Sequence, residues 1–159
     1  MDLALLTARV LPLWRSSSFF RNELVAAAKK KEPQALGGAG ERFAAYFLQQ
    51  KKFRILRTNF RSRHGGEVDI VCRDRRNRGL NVLVFTEVKT RRSDIWGRPS
   101  ASVDAKKRKL IFRGAAEWLR LLDNPDVPFR FDIVEVLVEP EPQVTLIENA
   151  FQLPDGVLY

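Results

Sequence analysis

Gly66-Glu67-Val68-Asp69-Ile70-Val71 and Val84-Phe85-Thr86-Glu87-Val88-Lys89 are the two stretches whose reading decides the fold. Both are rich in β-branched and aromatic residues and read as strands. The polar run between them, with a turn signal at Asn77 and Gly79, reads as a hairpin connection. A hairpin centred near Arg78 places Asp69 opposite Glu87 and Glu67 opposite Lys89. Residues two apart in a strand share a face, so Glu87 and Lys89 point the same way. Val82-Leu83-Val84-Phe85 is apolar on both faces, which marks a central covered strand. A carboxylate on such a strand is costly unless it is paired. Two carboxylates across a strand pair repel unless a positive charge lies between them, and a divalent cation supplies one. Mg²⁺ takes one or two protein carboxylates and fills its other positions with waters and phosphate oxygens. Lys89 beside the pair could orient a water or stabilise charge on a phosphate. The plain alternative is a cross-strand salt bridge on a solvated sheet face.

Working outward, residues 36–51 read as a helix with Ala44, Phe47 and Leu48 at helical spacing. Glu41 falls on or beside that apolar stripe, either as an acid favoured by the helix dipole or as a third acid facing the site. Residues 53–60 read as the first strand, and Arg61-Ser62-Arg63-His64-Gly65-Gly66 as a basic glycine turn into the next. Residues 103–122 read as the longest helix, with Val103, Leu110, Ile111, Ala115, Trp118, Leu119 and Leu122 as its stripe. Lys106 and Lys107 interrupt that stripe, and Lys106 is taken as the inward one. Phe129–Leu137 and 144–148 complete the strands. Asp132 reads as structural, the alternative being a place at the edge of the site. The order of helix, three strands, helix and two strands predicts an α/β sheet flanked by helices. Residues 1–33 read as an amphipathic or disordered extension ahead of one domain spanning 34–159, with Lys29-Lys30-Lys31-Glu32-Pro33 as a linker.

The net charge of +9 is unevenly spread. Residues 35–115 hold twenty basic and seven acidic side chains, net +13, whereas 116–159 hold two and nine, net −7. A basic surface around a carboxylate site points to a polyanion, with nucleic acid the default. In the loop after Lys89, Arg91, Arg92 and Arg98 could hold phosphates and Trp96 could stack on a base. The single cysteine, Cys72, excludes a disulfide framework and fits a reducing, cytoplasmic setting. Neither Cys72 nor the only histidine, His64, is expected to act in catalysis. No run of apolar residues is long enough for a membrane-spanning helix.

Six blocks then carry a family resemblance. They are Gly37-Gly38-Ala39-Gly40-Glu41, Asn59-Phe60-Arg61-Ser62-Arg63, Gly66 to Val71 as quoted, Phe85-Thr86-Glu87-Val88-Lys89-Thr90-Arg91, Val103-Asp104-Ala105-Lys106 and Phe131-Asp132. In this order, over roughly 35–138, the chain resembles the YraN family of endonuclease-like proteins. That family is similar to the PD-(D/E)XK nuclease superfamily and to the archaeal Holliday junction resolvases. The resemblance implies a restriction-endonuclease-like three-layer core with a mixed sheet of about five strands. It also implies a Mg²⁺- or Mn²⁺-dependent hydrolase acting on DNA, branched DNA included. Asp69 would match the motif aspartate, Glu87 and Lys89 the E-x-K element, and the Val88 carbonyl a further metal ligand. Glu41 would match the acid of the first helix and Lys106 the polar residue of the later one. Arg61, Arg63, Arg91, Arg92 and Arg98 would hold the nucleic-acid backbone. The usual proline before the motif aspartate is absent here, and Thr86 stands where valine is common. Residues 1–33 look longer than the family's usual N-terminus. None of these departures removes a candidate ligand. A homodimer would suit a two-strand cut. The competing reading is a nucleic-acid-binding module that keeps the nuclease fold without turnover. A third is an interaction protein whose acidic C-terminal part docks on a basic partner.

Overall fold

In the computed structural model, residues 17–30, 32–76, 81–93 and 103–153 are described. The element order is α1 (Ser17–Lys29), α2 (Pro33–Gln50), β1 (Phe53–Arg61), β2 (Glu67–Asp74), β3 (Val82–Arg91), α3 (Ala105–Leu121), β4 (Phe129–Leu137) and β5 (Gln143–Phe151). The strands lie side by side in chain order. All neighbours are antiparallel except β3 and β4, which are parallel and joined through α3. A parallel pair needs such a crossover, because a tight turn only reverses the chain.

Each helix has local reasons for its limits. Pro33 opens α2, where its missing N–H costs nothing. Lys52, just beyond α2, has φ 68°, which turns the chain back into β1. Asp104 caps α3, its carboxylate accepting from the Lys107 N–H at 2.7 Å. Asp123 and Asn124 end that helix with φ 58° and 49°, a region that Asp and Asn tolerate.

Two apolar cores sandwich the sheet. One joins α1 and α2 to Phe53, Ile55, Ile70, Cys72, Val84, Val134 and Val136. The other joins α3 to Phe60, Val68, Val71, Phe85, Phe131, Ile133 and Phe151. The expected α/β core with a mixed five-stranded sheet between helical layers is therefore present. The described part of the expected extension is α1, whose Phe20, Leu24, Ala27 and Ala28 are buried in the first core. A buried side chain the size of Leu24 contributes roughly 1.5–3 kcal/mol toward holding α1 against this core.

Two close approaches set the helices against the sheet. A Cβ on Gly40 of α2 would lie 1.8 Å from the Thr90 Oγ1 of β3. A Cβ on Gly66 would lie 2.2 Å from the Gly114 backbone nitrogen of α3. Glycine at these positions lets α2 approach the end of β3 and α3 the start of β2, beside the acids at issue.

At the opposite end of the sheet lies an ionic network. Asp74 takes Arg76 at 2.5 Å and Arg130 at 3.0 Å, and Glu148 takes Arg76 at 2.6 Å and Arg130 at 3.2 Å. Both guanidinium groups lie over the Phe53 ring, at 4.7 and 5.8 Å from its centroid. Asp132, fully buried, accepts from Arg130 Nε and from the Asn149 N–H, both at 2.9 Å. It is structural, as its sequence context suggested.

Candidate functional site

β2 and β3 pair in the expected register, with Ile70 opposite Thr86, Val71 opposite Phe85 and Cys72 opposite Val84. Beyond Ile70 the ladder gives way to a side chain. Asp69 Oδ2 accepts from the Val88 N–H at 2.8 Å. The side-chain alternation of β2 breaks at this point. Ile70 and Cys72 face the α2 side, whereas Val68 faces α3. Between the pairs Thr58–Ile70 and Phe60–Val68 stand Asn59 and Asp69, and Asn59 has φ 51°. The kink frees the Asp69 carboxylate from the regular sheet and turns it toward β3.

Glu87 reaches the same place from the central strand, its side chain 4% exposed. Lys89 Nζ lies 3.2 Å from Glu87 Oε1 and is about one-third exposed, so its ammonium opens to solvent. Among the described residues, Glu87 Oε2 has no hydrogen-bond partner. Burial first, and then the neighbouring Asp69 charge, push the Glu87 carboxyl up to about 7. Glu41 of α2 is held by the Asn59 side-chain amide at 2.7 Å. Burial raises its pKa, partly offset by that hydrogen bond, and Asp69 is near enough to add to the rise. The kink at Asn59 thus serves two acids, turning Asp69 and anchoring Glu41.

The lysine that enters the cluster is Lys107. Its Nζ lies 2.7 Å from Glu67 Oε1, 3.2 Å from Glu87 Oε2 and 3.9 Å from Asp69 Oδ1. Lys106, the residue expected there, is exposed. The reason is helical phase. Ile111, Ala115, Trp118 and Leu119 form the buried face of α3, and one turn before Ile111 on that face is Lys107. Counting back from Ile111 in the sequence would have found it. Glu67, expected opposite Lys89, is instead the closest partner of Lys107. Its carboxyl is held below the usual range mainly by that hydrogen bond.

The basic residues are more scattered. Arg61 and Arg63 are exposed and flank the start of β2, and Arg91 is half-buried at the end of β3. The Arg92 guanidinium donates to the Ala28 carbonyl, which ties the end of β3 to α1. Arg98 and Trp96 lie outside the described residues, as does the turn around Arg78. His64 is exposed and 3.8 Å from Glu117, at an open cleft of about 580 Å³ lined also by Arg113 and Arg120. Cys72 is fully buried against Thr86, and burial pushes its thiol up to about 12, which suits a core residue and not a nucleophile.

Could the acids hold a metal? Among the described residues no three His, Cys, Asp or Glu side chains converge as a ready-made cage. Mg²⁺ and Mn²⁺ need no such cage, since one or two carboxylates and waters suffice. Glu87 and Asp69 side by side meet that number, with the Lys107 ammonium 3.2 Å from Glu87 Oε2.

The protein is thus an α/β sandwich with an acid–lysine cluster where two central strands separate. The family model for the uncharacterised protein family UPF0102 matches residues 40–136. The chain is 43% identical to a UPF0102 protein of Trichlorobacter lovleyi, over 77% of this chain and 94% of the relative. It is 42% identical to a UPF0102 protein of Geobacter sulfurreducens, over 74% and 89%. With one from Symbiobacterium thermophilum it shares 42% identity, over 73% and 95%. The chain belongs to the UPF0102 family. The matched segment contains every acid and lysine of the cluster.

Proposed function

We propose that this protein is a divalent-metal-dependent nuclease of the PD-(D/E)XK kind, acting on DNA, with branched or otherwise structured DNA the favoured class. The observation that carries the reading is that Asp69 and the Glu87–Lys89 pair lie together where the β2–β3 ladder ends, within a chain segment, residues 35–115, of net charge +13. Asp69 and Glu87 would hold Mg²⁺ or Mn²⁺, with the Val88 carbonyl as a further ligand and Glu41 supporting from α2. When bound, the ion supplies a Lewis acid for the phosphate and lowers the pKa of water. Lys89, open to solvent, stabilises the negative charge that develops on the phosphate oxygens. Val88 N–H fixes the Asp69 carboxylate. Arg61, Arg63 and Arg91 hold the backbone beside the scissile position, with Arg98 from the loop beyond the described residues. Affinity should fall steeply with salt as counterions are released.

A second reading has its own support. Lys107 already supplies a positive charge to Glu67, Asp69 and Glu87, so the acids are neutralised in part by the chain itself. A DNA-binding module without turnover would need nothing more. The test is incubation with labelled four-way junction, flap, single-stranded and duplex DNA in Mn²⁺, Mg²⁺ or EDTA. The expected result is metal-dependent cleavage that Asp69→Ala, Glu87→Ala and Lys89→Ala each abolish. Cleavage by folded Asp69→Ala at the wild-type rate excludes the site. Binding without cleavage in every condition selects the module.

A further inference from the structure

A cation already occupies the space between the carboxylates: the Lys107 ammonium, within 3.9 Å of three of them. Its position is costly in two respects. It is half-buried, and it lies in the first turn of α3, where the helix dipole disfavours positive charge. The acids offset both costs. Its contacts are also graded. Glu67, on the outer side of the cluster, takes the one hydrogen bond at 2.7 Å, whereas Glu87 and Asp69 are 3.2 and 3.9 Å away. Glu87 Oε2 faces the ammonium without a hydrogen bond to it.

We infer that Lys107 is a tethered counter-ion that competes with a divalent metal for Asp69 and Glu87, and that Glu67 is the carboxylate to which it withdraws when metal enters. This rests on the metal-site reading above and specifies how that site is gated. A like charge a few ångströms from an incoming cation opposes it, and the burial of Glu87 and the partial burial of Lys107 keep that repulsion from being fully screened. Metal affinity is therefore set by the chain's own lysine as well as by the ligands. An ammonium held only loosely by Glu87 and Asp69 can leave them while keeping its bond to Glu67. Glu67 is then a positioning residue, acting on the metal through Lys107.

The experiment is calorimetric titration of Mn²⁺ into the full chain, with no nucleic acid present. Lys107→Met should bind Mn²⁺ about tenfold or more tightly than wild type, since a nearby positive charge has gone. Glu67→Gln should bind more weakly, because the ammonium then rests on Asp69 and Glu87 alone. In the Lys107→Met background the Glu67→Gln change should have no effect, which separates a positioning role from direct ligation. Equal or weaker Mn²⁺ binding by folded Lys107→Met overturns the inference. Should that variant fail to fold, wild-type affinity in Glu67→Gln overturns it equally. No Mn²⁺ binding by wild type or by any variant, with circular dichroism showing native folds, overturns the metal-site reading together with the gating.

Discussion

Replacing Gly66 with alanine tests how the site is held together. The added Cβ would lie 2.2 Å from the Gly114 nitrogen, 2.6 Å from the Arg113 carbonyl carbon and 2.8 Å from the Gly114 Cα. All three are backbone atoms of α3, so no side chain can swing aside. Ordinary contact begins near 3.4 Å, and the start of β2 must therefore separate from α3 by about 1 Å. Such overpacking costs about 2 kcal/mol. At about 2–4 °C per kcal/mol for a chain of this size, Tm should fall by about 4–8 °C. The displacement also reaches the site, because Glu67 follows Gly66 and Lys107 lies two turns before Gly114. A misplacement near 1 Å at reacting groups costs on the order of 10²-fold in rate, which is the loss expected in the proposed cleavage. The control is Gly37→Ala. Among the described residues nothing lies within 4 Å of that Cβ, and the residue is inside α2, so stability should rise by about 0.5–1 kcal/mol. Differential scanning calorimetry reads both. A Gly66→Ala protein that melts within about 2 °C of wild type would refute the reasoning.

Two further outcomes concern the ionic network at the far end of the sheet. Arg130→Met leaves the fully buried Asp132 with, among the described residues, the Asn149 N–H alone, and should cost about 3–5 kcal/mol in urea unfolding. A loss under about 1 kcal/mol would show that Asp132 does not depend on Arg130. Acid should weaken the same end. Arg76 hydrogen bonds hold the Asp74 and Glu148 carboxyls below their usual values. Their contribution is therefore complete above the unfolded carboxylate range near pH 4 and is lost as pH falls through the lower folded values. Burial shifts Asp132 upward, a contribution of opposite sign. Unfolding midpoints measured downward from about pH 5 should drop, and Asp74→Asn should flatten that limb. An unchanged slope in the variant would assign acid sensitivity elsewhere.

Much of this was legible in the chain because it depends on local pattern. The apolar run 82–85 marked β3 as the covered central strand, and it is buried from Leu83 to Glu87. The hairpin register followed from the positions of two strands about one turn, and it holds from Ile70 to Asp74. Other features are tertiary. Which lysine enters the cluster depended on the phase of α3, set by its Asp104 cap and its buried face, and the phase selected Lys107 over Lys106. Glu67 found its partner on that helix and not across the strand, because the β2–β3 ladder ends at Ile70, next to the break in the alternation of β2 at Asp69. The break comes with a left-handed Asn59 on the neighbouring strand, which no alternation pattern announces. Strand periodicity put Glu87 and Lys89 on one face, and the strand pairing, with the break at Asp69, brought Asp69 beside them. Gathering Glu41, Glu67 and Lys107 around them required α2 and α3 to close on the sheet at Gly40, Gly66 and Gly114, where backbone contact distances decide what a charge can reach.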